Sequence, residues 1–215
     1  MRRMTTRCHA YGHPEFILEV ARSILAEDSD WLIQYLENSV ARGEVFRAGE
    51  TLQTGWMINS FRECSEGLMV FEPDMIARPI RFVNSVTRTL THLRLQKDVA
   101  ESVGLEDCLL FPSIRQSAIA CKAWGEVESF SLSRFDPEGA DSGWFVGCLM
   151  DHDHDAPENL ERVSLYDIGS THSILVQFLA LPPGVSLLLE NEDVSFLKNG
   201  EPLPIREGTL LSRFS

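Results

Sequence analysis

Asp151-His152-Asp153-His154-Asp155 is the densest chemical feature of the chain. It sits inside a longer stretch, Asp136 to Glu161, that holds eight acidic residues and neither lysine nor arginine. In an extended segment side chains alternate, so His152 and His154 fall on one side and Asp151, Asp153 and Asp155 on the other. A His-x-His pair on one face suits zinc or another divalent ion. The fuller signatures fail. A His-x-His-x-Asp-His hydrolase motif would need Asp and His where the chain has Ala156 and Pro157. A calcium loop would need Gly and a bidentate acid where it has Ala156 and Arg162. The run therefore reads as solvated acid between strands, with no metal and no cofactor expected. A metal-dependent enzyme built on His152 and His154 stands as the alternative.

No other segment assembles a reaction. The chain lacks a Gly-rich phosphate loop, a G-x-S-x-G elbow and an S-x-x-K motif. His172 lies between Thr171 and Ser173, where it reads as a helix-start residue rather than a base set against a nucleophile. Five scattered cysteines without a C-x-x-C pair fit reduced, mostly buried thiols of a cytosolic protein. No catalytic residue is assigned, and the chain is read as a non-enzyme.

Charge narrows the partners. The net charge is −13, and it is uneven: residues 1–110 hold 12 basic and 16 acidic residues, residues 111–215 hold 7 and 16. Such a surface repels nucleic acid and anionic membranes and attracts basic proteins. No apolar stretch is long enough to cross a bilayer. The basic start, Met1 to Arg7, runs into Cys8-His9-Ala10-Tyr11 instead of an apolar core, so no signal peptide is expected and the location is read as cytoplasmic.

The elements that must position these residues fall into two α+β domains, residues 1–112 and 113–215. Each is expected to be a mostly antiparallel sheet with one or two packed helices. In the first, 15–20 reads as a strand. A helix capped by Ser29 or Asp30 carries Trp31, Leu32, Tyr35, Leu36 and Val40 on one face and ends at Gly43. Segments 51–61 and 68–72 read as strands, and 83–103 as a helix closed by Gly104. In the second, strands are expected over 117–123, 144–150, 163–166, 185–189 and 194–197, with 125–132 strand or loop. Residues 173–181 read as an apolar helix, and Asn199-Gly200 as a tight turn. Trp31, Trp56 and Trp124 are assigned to packing, while Trp144, beside the acid, is taken as an interface anchor.

Asp141-Ser142-Gly143-Trp144, Pro157-Glu158-Asn159, Leu165-Tyr166-Asp167-Ile168 and Leu179-Ala180-Leu181-Pro182-Pro183-Gly184 together resemble the bacterial immunity protein thirty-three domain, over about residues 113–205. That resemblance implies a non-enzymatic antitoxin that binds and inhibits a cognate toxin of a polymorphic or type VI system. The acid excess points to a basic nuclease as target. Asp141, Trp144, Asp151, Asp153, Asp155 and Glu158 are the expected toxin-binding residues, presented by a monomer along one edge of the second domain.

Overall fold

Leu32, Leu36 and Val40 recur at helical spacing and are all buried, which fixes the inner face of helix α1, Ala26–Ala41. The helix starts before Ser29. That residue lies within the first turns and donates its hydroxyl to the Ala26 carbonyl at 2.9 Å. Glu27 and Asp28 occupy the first turn, where the helix dipole favours acids and no side-chain cap is present. Trp31 is 40% exposed and stacks on Tyr35 at 5.5 Å, so it lies outside the core that its apolar character had suggested. At the other end Gly43 adopts φ +93°, and Glu44 N–H closes on Ser39 O at 3.1 Å.

The computed structural model describes residues 1–154, 156–191 and 193–213. The chain divides into two units, Met1–Arg94 and Leu95–Ser215. The first holds β1 (Arg2–Met4), β2 (Phe16–Glu19), α1, β3 (Thr51–Thr54), β4 (Met57–Cys64), β5 (Gly67–Pro73) and β6 (Phe82–Val83). Helix α2 (Thr87–Ser102) begins in the first unit and ends in the second. The expected strand over 51–61 is two strands, because Gly55 at φ +62° lets the chain reverse and pair Thr54 with Met57. The sheet order is β1-β2-β5-β4-β3, with β6 on β5, and only β2 and β5 run parallel. Phe16, Leu18, Phe61, Leu68 and Val70 pack with Leu32, Leu36, Val86 and Leu90. The buried Glu72 carboxylate accepts the Arg88 and Thr89 N–H groups at 3.1 and 2.7 Å, filling the anion-seeking start of α2.

The second unit holds β7 (Ser117–Cys121), β8 (Phe130–Arg134), β9 (Asp141–Cys148), β10 (Leu160–Ser164), α3 (Leu165–Thr171), β11 (Val185–Glu190), β12 (Asp193–Lys198) and β13 (Glu201–Leu203). Its sheet runs β10-β7-β9-β8-β11-β12-β13, antiparallel except for β7 beside β9. Both sheets are thus mostly antiparallel, and the class is α+β as the sequence indicates. Two local readings change. Residues 163–166 turn from strand into α3, because Ser164 accepts the Asp167 N–H at 3.0 Å and donates back to the Asp167 carboxylate at 2.6 Å. Ser173–Phe178 winds as a 3-10 helix, not an α-helix.

Candidate functional site

Ser142-Gly143-Trp144 opens β9, and each residue of the step answers to a local demand. Ser142 donates its hydroxyl to Ser117 O at 2.8 Å and ties β9 to β7. Gly143 sits at φ +77°, and a Cβ there would lie 2.1 Å from the Phe135 carbonyl oxygen. Trp144 is 1% exposed and donates its indole N–H to Leu179 O at 3.0 Å. It therefore packs the core, and the expectation that it anchors an interface is corrected: a ring enclosed on this scale presents no surface to a partner. Arg134, also buried, lies over that ring and donates to the carbonyls of Leu110, Leu179 and Leu181. Burial lowers the Arg134 guanidinium to about 10.

The outer face of the same strands is open. Ile119 of β7 pairs with Phe145 of β9, and both are half-buried on the floor of a groove of about 680 Å³. Phe135, 64% exposed, and the exposed Asp136 and Glu138 line its wall. Asp141 and Arg162 also line it, paired with each other at 2.8 Å, and Asp141 accepts the Gly143 N–H at 2.8 Å, so Asp136 and Glu138 are the carboxylates left for a partner's cation. The chemistry is an apolar floor under carboxylates, which suits a cationic side chain with an apolar stem.

Asp151 and Asp153 lie elsewhere. They follow the end of β9, whereas Asp141 begins it, so the strand holds the two acidic groups roughly 20 Å apart. The expected single edge is therefore two patches at opposite ends of one strand. Asp151 and Asp153 are exposed, as is Glu158 in the turn Pro157–Asn159, whose backbone carbonyl accepts from Lys122. Asp155 lies outside the described residues.

His152 and His154 face inward from that loop, opposite the aspartates, as alternation requires. Parallel pairing of β7 and β9 brings their C-terminal ends together, and with them Cys121 and Cys148, Sγ to Sγ 3.3 Å. His152 Nε2 lies 3.1 Å from Cys121 Sγ, and His154 Nε2 lies 3.4 Å from Cys148 Sγ. The two imidazoles are 4.2 Å apart. Both thiols are free, and burial pushes the Cys148 thiol above its usual range. This is the one group among the described residues whose donors could hold a metal ion. Sequence spacing concealed it: 26 residues separate Cys121 from Cys148, and only the strand pairing makes them neighbours. Cys148-x-x-x-His152-x-His154 was the legible part of the signal.

With both ends of β9 accounted for, one protein family resembles this half of the chain. Residues 95–197 match the family model of the Imm33-like domain. No curated protein and no solved structure gives a significant match. The matched segment begins within α2 and contains the groove, the acidic loop and the Cys/His group. The Ser-Gly-Trp and Tyr-Asp-Ile motifs that signal it have structural roles, since Tyr166 and Ile168 are buried like Trp144. Among the described residues no helix is long and apolar enough to cross a membrane.

Proposed function

We propose that this chain is an immunity protein that binds a cognate toxin and neutralises it by covering its active site, with no catalysis of its own. The Imm33-like match over residues 95–197 carries this reading, because immunity proteins act by binding toxins that the producing cell or its neighbours release. The groove supports the choice of surface. An exposed phenylalanine beside Asp136, Glu138 and Asp141 offers an apolar contact ringed by carboxylates, the combination from which interface hot spots are built. Asp151, Asp153 and Glu158 form the second acidic patch and steer the approach. A net charge of −13 fits a basic target, and a nuclease, whose own surface must attract nucleic acid, is the class we assign. The meeting place is then the cytoplasm, with one monomer engaging one toxin.

Protection in cells producing the toxin tests this. Asp136→Lys with Glu138→Lys reverses the groove wall at exposed positions, so the melting temperature should hold. A charge pair buried against a toxin arginine or lysine is worth about 2–5 kcal/mol on truncation, and reversal costs more. Protection should therefore vanish. The triple reversal of Asp151, Asp153 and Asp155 to Lys should slow association and weaken protection. If both variants protect as well as the wild type, this domain does not bind the toxin through its acids and the assignment of the surface fails.

A further inference from the structure

We propose that Cys121, Cys148, His152 and His154 bind one zinc ion in a closed tetrahedral site at the C-terminal ends of β7 and β9. The inference stands independently of the toxin-binding reading. Zinc with thiolate ligands at about 2.3 Å and imidazole ligands at about 2.0–2.1 Å holds its four donors roughly 3.3–3.8 Å from one another. Here the Sγ atoms are 3.3 Å apart, and the nearest sulfur–nitrogen separations are 3.1, 3.4 and 3.8 Å. All four donors lie within 4.8 Å of one another. That compactness selects a single metal atom, since a two-iron cluster spreads its thiolate and imidazole pairs over two irons.

Donor chemistry selects the metal. Two thiols and two imidazoles match zinc and reject magnesium and calcium, which take oxygen ligands. The environment selects the role. Both cysteines are 1% exposed and the histidines are half-buried, so four protein ligands close the sphere and leave no position for a reacting water. The site is structural. It holds a segment, Asp151 to His154, that lies outside any strand or helix, with Asp151 and Asp153 exposed. A disulfide between the cysteines would explain their proximity but not the convergence of both imidazoles on them.

Untagged protein, purified without chelator, should contain one zinc per chain by elemental analysis. Cys148→Ser and His154→Asn should each weaken zinc affinity about tenfold or more, measured by competition with a chromophoric chelator, since loss of a ligand costs at least as much as loss of an outer-sphere partner. Should a variant fail to fold, chelated wild-type protein titrated with Co²⁺ keeps the question answerable. A tetrahedral site with two thiolates gives an intense visible d–d spectrum and a near-ultraviolet thiolate-to-cobalt band, both bleached by one equivalent of Zn²⁺. Wild-type protein that carries no metal and takes up no Co²⁺ in this form overturns the proposal. So does a Cys121–Cys148 disulfide found by mass spectrometry in freshly lysed cells. Zinc retained at full stoichiometry by the Cys148→Ser, His154→Asn double variant would place the metal elsewhere and overturn it equally.

Discussion

His92 shows how a single side chain can set the acid limit of its unit. Its Nδ1 accepts the buried Trp56 indole N–H at 3.1 Å, and burial, reinforced by the charge of Arg88, lowers its pKa from 6.5 to about 4. The neutral ring is the one the fold accommodates, whereas the unfolded chain takes up a proton at higher pH. The stabilisation is therefore complete above about pH 6.5 and is lost as pH falls toward 4. Urea unfolding at pH 7 and pH 4.5 should show the wild type losing roughly 2–3 kcal/mol through this group over that interval. His92→Gln, which keeps an acceptor but does not titrate, should flatten the difference by about that amount, at some cost in packing. An unchanged pH profile would mean that other groups govern the acid limit. At this scale the sequence was partly legible. Trp56 was read as core and is core, whereas Trp144 was read as an anchor because its acidic neighbours in sequence point away from it, across the pleat.

Among the elements, the β8–β9 connection carries the most constraint. Phe135 N–H bonds Gly143 O at 2.8 Å, and Gly143 is pressed against the Phe135 carbonyl with a positive φ. Gly143→Ala adds a Cβ that this backbone cannot admit, in a conformation that costs an L-residue about 1 kcal/mol or more before the clash. The melting temperature should drop by several degrees and the groove above it should deform. A variant as stable as the wild type would show that the turn relaxes freely. Helix and strand positions were legible wherever periodicity spoke, as in α1 and β2. What was missed turned on short-range polar chemistry: Gly55 dividing one strand into two, Asp167 bonding back to Ser164 to start α3, and the acidic first turn that moves the start of α1 ahead of Ser29. The Cys/His group was half-legible. Alternation put both histidines on one face, but no local pattern announces which two thiols a parallel strand pair will deliver to them.

Taken whole, the molecule is an acidic body, and its net charge of −13 acts at a distance. Association with a basic toxin should slow about tenfold or more as salt rises from low ionic strength to several times physiological, while dissociation changes much less. Stopped-flow kinetics with the cognate toxin would show this, and a salt-insensitive association rate would remove charge from the account of binding. The proposed role also requires the chain to persist at useful concentration without pairing with itself. Among the described residues, β10 and β13 are the two terminal strands of the seven-stranded sheet. Residues Glu161 and Arg162 put charge along the first. On the second, Leu197 pairs with Pro202, next to the pair Lys198–Glu201 that closes the two-residue turn. That is the place in a hairpin whose N–H points away from its partner, and proline has none to offer. A foreign strand seeking to extend the sheet there finds its hydrogen-bond donor missing. Glu161, Arg162 and Pro202 thus work against edge-to-edge pairing of one copy of the chain with another.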